Sequence, residues 1–247
     1  HKKPKIIDLF AGAGGFSLGA ARAGMQVISS VEIDPQANET HIRNFPNTRH
    51  LGIDVSTLKG SDLLAQSGLK FGELDGLIGG PPCQGFSDIG RRDPNDRRNS
   101  LFGHFMRLVA ETKPRFFIAE NVPGILQDRN ADVLKAALKL LPSNFMLLPA
   151  TKVCAADFGA ATTRTRVFFV GFDPNRFPEI DKKIFEVIPN QQKTTVRDAL
   201  HGLPEFIDPN WQSEFSSWQP VKPLPSSHFN DRAQSNTPTG VGDPFAL

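Results

Sequence analysis

Cys83 stands in the run Gly79-Gly80-Pro81-Pro82-Cys83-Gln84-Gly85-Phe86-Ser87, where two prolines stiffen the approach and glycines on both sides leave the sulfur accessible. Such a thiol is a nucleophile only as the thiolate, which an electropositive surrounding favours. Arg91, Arg92, Arg97 and Arg98 supply that charge in the next segment, diluted by Asp93 and Asp96. Nothing in this loop resembles core. Cys154, by contrast, lies inside an expected strand and reads as an inert small side chain.

A second group of residues suits ligand binding rather than bond making. Ala11-Gly12-Ala13-Gly14-Gly15 follows an apolar run, and Glu32 comes 20 residues after Gly12. Glycines there let the main chain approach a ligand, and the helix beyond offers free N–H groups. A carboxylate ending the second strand can accept both hydroxyls of a ribose, so the pattern points to a nucleoside-bearing cofactor. The dinucleotide pattern G-x-G-x-x-G would need glycine at position 17, where Ser17 stands. S-adenosylmethionine carries no phosphate and needs no pyrophosphate turn, so a methyl donor is favoured over a nicotinamide dinucleotide. Asp54, after a third expected strand, is placed to accept from an adenine amino group.

These residues need a frame, and the sequence supplies alternating elements. Residues 5–10 are expected as a strand entering the glycine turn, 16–24 as a helix stopped by Gly24, and 26–32 as a β-branched strand. Asp34-Pro35 reads as an N-cap with proline at the first helical position, opening a helix to about Phe45. Strands are expected at 74–80, 115–122, 145–153 and 166–172, with helices at 100–113 and 131–141. That alternation predicts an α/β fold, a doubly wound Rossmann-like sheet with helices on both faces. We expect a catalytic and cofactor-binding domain over residues 1–175. Residues 176–247 are expected as a linker and the start of an incomplete target-recognition region, irregular and rich in proline from Leu203 onward.

Composition excludes several classes. The 247 residues include 39% hydrophobic side chains, enough for a sizeable core and against wholesale disorder. Two cysteines exclude a disulfide scaffold, and the six histidines form no metal-ligand spacing, so no metal is expected. No long apolar stretch or signal peptide is visible, so no membrane partner is expected and the chain reads as cytoplasmic. The net charge of +2 is too small to announce a nucleic-acid binder.

Four segments occur in one order: residues 8–20 (DLFAGAGGFSLGA), the PPCQGFS loop, Glu120-Asn121-Val122 after a strand, and Arg164-x-Arg166 before another. In that order and spacing they resemble the successive motifs of the cytosine-C5 DNA methyltransferases. Residues 194–204 (TTVRDALHGLP) resemble the segment that follows them in many bacterial members. The resemblance implies methyl transfer from S-adenosylmethionine to C5 of cytosine, leaving S-adenosylhomocysteine, in duplex DNA of a restriction-modification system. Cys83 would add to C6 of the ring. Glu120 would donate to N3, Arg166 would bond the base O2, and Arg164 would position the backbone or loop. Cofactor contacts would come from Phe10, Ala11, Gly12, Ala13, Gly15, Glu32, Ile33, Asp54, Val55, Pro82 and Leu101. The base must leave the duplex to be reached, and Gln84, Ser87, Arg91, Arg92, Arg97 and Arg98 would contact DNA, with an affinity that falls with salt.

Thr162 stands where the family usually has Gln, which bears on the base pocket rather than on the reaction. Two later family motifs, R-E-A-x-R-L-Q and G-N-A/S-V-P, do not occur in these residues. The chain is therefore expected to be a catalytic half, the larger subunit of a naturally split two-chain enzyme or a shortened chain, with a second polypeptide completing it. Action on DNA would place it at the bacterial nucleoid. The alternatives are a tRNA cytosine methyltransferase of similar architecture and a non-catalytic module that binds cofactor or DNA.

Overall fold

The short strand Lys5–Leu9 (β1) is apolar at Ile6, Ile7 and Leu9 because both of its faces are covered. It is central to a mixed sheet in a computed structural model, which describes residues 2–82, 101–177 and 194–199. The described residues fall into two units. The larger holds 2–82, 101–153 and 165–177, and the smaller holds 154–164 and 194–199.

In the larger unit β1, Gln26–Val31 (β2), Arg49–Leu51 (β3), Gly76–Gly79 (β4) and Phe116–Asn121 (β5) are parallel. Thr165–Phe172 (β8) runs antiparallel to β5, placing Glu120 opposite Phe168 and Asn121 opposite Val167. Met146–Leu147 (β6) pairs with β8, and the strand order is β3-β2-β1-β4-β5-β8-β6, with Thr151–Cys154 (β7) also against β8. Connections between parallel strands run through Gly15–Arg22 (α1), Pro35–Asn44 (α2), Gly60–Gln66 (α3) and Leu101–Thr112 (α4), with Ala131–Leu138 (α5) after β5.

Strand side chains alternate between two packed layers. Ile7, Leu9, Leu77, Phe117 and Ala119 join Leu63 and Leu64 of α3, Phe105, Met106 and Val109 of α4, and Ala137 of α5. Ile6 and Ile78 instead meet Ala20 and Ala21 of α1. Helices thus cover both faces, as the alternation predicted. Truncating one of the large buried rings, such as Phe105, would cost ~3–5 kcal/mol.

Two elements depart from the sequence expectation. The single strand expected over 145–153 is two, β6 and β7, separated by Pro149, which has no N–H to continue a ladder. Helix α3 was not expected, since it has no side-chain cap of its own. Its Gly60 N–H is instead satisfied by Glu111 Oε2 of α4 at 2.6 Å, 51 residues away in the chain. In the smaller unit, Ala155–Phe158 form a 3-10 turn and the Ala155 N–H donates to the Arg164 carbonyl at 2.9 Å. Val196–Ala199 (α6) opens with Thr195 and Asp198 capping each other reciprocally. No helix among the described residues is long and apolar enough to cross a membrane.

Candidate active site

All five parallel strands end at one edge, where open α/β sheets bind ligands. Glu120 and Asn121 close β5 there. Because β8 runs the other way, its first residues arrive at the same edge. Arg166 Nε lies 2.7 Å from Glu120 Oε1, with side-chain exposures of 20% and 25%. At that depth the pair is less screened than a surface bridge. Arg166 Nη1 also donates to the Thr165 carbonyl at 2.8 Å. Glu120 Oε2 faces Gly80, 3.1 Å from where a Cβ on that residue would sit.

Asn121 is buried, and its Nδ2 donates to the Pro81 carbonyl at 3.2 Å while its Oδ1 accepts the Val122 N–H at 2.8 Å. The Glu-Asn-Val triplet therefore fixes the main chain just before Pro82, which is exposed. A carboxyl beside a guanidinium offers one acid or acceptor and a row of N–H donors, the set that holds the edge of a heterocycle. Cys83, Gln84, Ser87, Arg91, Arg92, Arg97 and Arg98 lie outside the described residues. Arg164 is exposed in the smaller unit. Cys154, a free thiol, ends β7.

The residues expected to bind a ligand gather around the turn after β1. Phe10 and Gly12 have positive φ, 58° and 55°, as does Gly14 at 102°. Gly14 caps α1, and a Cβ there would come 2.3 Å from the Phe45 ring and 3.1 Å from the His41 ring of α2. Only glycine fits. Glu32 is fixed by two main-chain donors, the Gly12 N–H on Oε2 and the Asp34 N–H on Oε1, both at 2.8 Å. A carboxylate accepts about four bonds, so Glu32 keeps capacity for two hydroxyls. Ile33 beside it is 63% exposed, an apolar face open to a flat ring. Asp54 accepts the Ser56 N–H at 2.8 Å, and hydrogen bonds from Ser56 hold its carboxyl below the usual range. Ala11 and Val55 are buried, Ala13 and Gly15 are exposed, and Leu101 is half-buried at the start of α4. This donor and acceptor set fits an adenosine-bearing cofactor.

Sequence reasoning missed three supports of this site. Asn121 was seen only as part of a motif. Arg107 of α4 donates to the Val55 and Leu58 carbonyls at 3.2 and 2.9 Å, fastening the segment that carries Asp54. Its ion pair with Glu111 at 2.8 Å is spaced i,i+4, a signal that by itself reads only as a surface pair. The third is a polar chain from Asp8 to His50, signalled by a carboxylate inside an apolar strand.

The family model of the C-5 cytosine-specific DNA methylases matches residues 4–235. The chain belongs to that family. Type II methyltransferase M.DdeI of Desulfomicrobium norvegicum is 39% identical over 209 residues, 81% of this chain and 48% of that relative. M.AquIA of Picosynechococcus sp. is 32% identical over 226 residues, 83% of this chain and 91% of that relative. A solved prophage-encoded protein of E. coli, assigned as a DNA modification methyltransferase, is 43% identical with a TM-score of 0.85, covering 98% of this chain and 67% of that one. M.AquIA aside, this C-5 methylase chain spans about half the length of the leading curated relatives it matches.

Proposed function

We propose that the chain is the catalytic part of a bacterial DNA cytosine-C5 methyltransferase, acting on a cytosine flipped out of duplex DNA. The Glu120–Arg166 pair beside the entry to the Cys83 loop, inside the family match, carries this reading. S-adenosylmethionine, when bound, supplies the methyl group.

Each protein group then has a defined task. The Cys83 thiolate forms a bond to C6 while Glu120 donates a proton or strong hydrogen bond to N3, which makes C5 nucleophilic. Once C5 carries the methyl group, loss of the C5 proton breaks the S–C6 bond and returns the thiolate. Arg166 holds O2 and Arg164 the adjoining backbone. Gln84, Ser87 and the arginines at 91, 92, 97 and 98 hold the duplex. Glu32 takes the ribose hydroxyls, Asp54 the adenine amino group, and Ile33 the ring face. Phe10, Ala11, Gly12, Ala13, Gly15, Val55, Pro82 and Leu101 complete the cofactor wall.

Residues 1–175 form the catalytic domain in this reading, and 176–247 begin target recognition. Full activity draws on the two family motifs absent from these residues, supplied by a second polypeptide or by further sequence of the same protein. M.AquIA, matched over nine-tenths of its length, is a methyltransferase chain of comparable extent.

The test is transfer of labelled methyl groups to duplex DNA and to tRNA, with and without a polypeptide carrying those motifs. The expected outcome is weak transfer by the chain alone, restored DNA methylation with the partner, and none with Cys83→Ser. Robust sequence-specific methylation by the 247 residues alone would remove the partner. Transfer confined to tRNA would replace the substrate. Unchanged activity of Cys83→Ser would remove the nucleophile.

A further inference from the structure

Beneath the glycine turn, four polar side chains from four elements join in one hydrogen-bonded chain. Ser17 Oγ of α1 lies 2.7 Å from Asp8 Oδ2 of β1, and His41 Nε2 of α2 lies 3.0 Å from Ser17 Oγ. His41 Nδ1 lies 2.9 Å from His50 Nε2 of β3. Asp8, Ser17 and His41 are fully buried, and His50 is half-buried at the outer end. The His41 ring also packs on Gly14, which caps α1 within the turn, so this chain and the wall of the turn share one side chain.

We propose that the Asp8–Ser17–His41–His50 chain positions the glycine turn for the cofactor, and that a single proton on the chain sets how firmly the turn is held. His41 and Ser17 are positioning residues, acting through the turn rather than touching the cofactor. The inference rests on the cofactor reading given above.

Both directions of the chain are chemically complete. With Asp8 protonated, its O–H donates to Ser17 Oγ, the Ser17 hydroxyl donates to His41 Nε2, and His41 Nδ1–H donates to His50 Nε2. With Asp8 ionised every link reverses: Ser17 donates to Asp8, His41 Nε2–H to Ser17, and His50 Nε2–H to His41 Nδ1. One proton leaves, from His50 Nδ1 to solvent, and each intermediate group passes on one and takes one. The two states therefore differ by one proton and by the tautomers of His41 and His50.

The ionised state holds the turn less well. Among the described residues Asp8 Oδ1 is buried with no hydrogen-bond partner, an arrangement a neutral carboxyl tolerates better than a carboxylate. The groups facing Asp8 are Ser17 from α1, Ser30 from β2, Glu32 just beyond that strand and the apolar Ile78 from β4, with His41 of α2 reached through Ser17. Burial first, and the Glu32 charge in a smaller degree, push Asp8 up to about 7 against the Ser17 hydrogen bonds, while burial and then His50 lower His41 to about 4. The switch therefore falls near neutral pH with His41 uncharged in both states.

The experiment measures S-adenosylhomocysteine affinity of the full chain by calorimetry between pH 6 and 8.5, alongside ring-nitrogen NMR of His41. This probe is chosen because its sulfur is uncharged. Expected is an affinity that falls above pH 7, by at most about tenfold per pH unit for one proton, together with a change of His41 tautomer. Asp8→Asn should bind with a flat profile and one tautomer, and Ser17→Ala should bind severalfold more weakly at every pH. A pH-independent wild-type affinity, an Asp8→Asn profile like the wild type, or an unweakened Ser17→Ala overturns this inference alone. A tautomer change in a chain that binds no S-adenosylhomocysteine overturns the cofactor reading, and the positioning role with it.

Discussion

The two ends of the proposed active edge, one assigned to the cofactor and one to the base, are built differently. The cofactor end comes from consecutive elements, β1 to β3, and fixes its groups through main-chain donors: Gly12 and Asp34 hold Glu32, and Ser56 holds Asp54. The base end is assembled from residues far apart in the chain, Gly80, Glu120 and Arg166, joined by an ion pair and by the Asn121 bond to Pro81. The first arrangement places acceptors rigidly for a ligand bound in one pose. The second leaves a carboxyl and a guanidinium facing one another, a contact that the proposed function exchanges for a base. Binding and chemistry should accordingly fail separately.

The largest expected effect is at the base end. Glu120→Ala should lower kcat of the assembled enzyme by ~10²–10⁴-fold, the range for losing a general acid, while S-adenosylhomocysteine affinity by calorimetry stays within about twofold. A parallel loss of cofactor affinity would show that the two ends are not independent. At the cofactor end, Glu32→Ala removes charge-assisted acceptors of ~1.5–3 kcal/mol. Cofactor affinity should drop ~10- to 100-fold, with single-turnover methylation recovering at saturating cofactor.

A smaller effect separates the ends by pH. Asp8 binds its proton more tightly folded than unfolded, so its contribution is present below its ordinary value of 3.8 and lost as pH rises through about 7. His41 works in the opposite sense: its contribution is present above 6.5 and lost as pH falls through about 4. Between those limits the two slopes offset one another. Removing Asp8 exposes the slope of His41, so Asp8→Asn should gain on the wild type in Tm from pH 4 to 7 and level off above. A constant Tm difference across that range would contradict the burial of the pair.

Much of the cofactor end was legible in the sequence because its signals are local. An apolar strand, a glycine turn, a helix and a carboxylate 20 residues on specify one another within a single βαβ unit. The Asp34-Pro35 helix start was legible for the same reason, since a cap acts over three residues. The Glu120–Arg166 contact was not, because it depends on β8 running antiparallel, which no local pattern encodes. Helix α3 escaped notice because its cap, Glu111, comes from another helix. The Asp8–His50 chain left one trace, a carboxylate in an apolar strand, but Ser17, His41 and His50 have no spacing that would mark them as its partners. The motifs pointed to the chemistry; the packing of the sheet decides which groups meet.

The central claim is that Cys83 attacks a cytosine held at this edge. Duplex DNA with 5-fluorocytosine at the target position blocks the final step, because fluorine cannot leave as the C5 proton does. Incubated with S-adenosylmethionine, this chain and a polypeptide carrying the absent motifs, it should give a stable protein–DNA adduct. Mass spectrometry should place the DNA, with one added methyl group, on the peptide containing Cys83. An adduct on another residue, an adduct that persists in Cys83→Ser, or methylated DNA formed with no trapped protein would contradict the account.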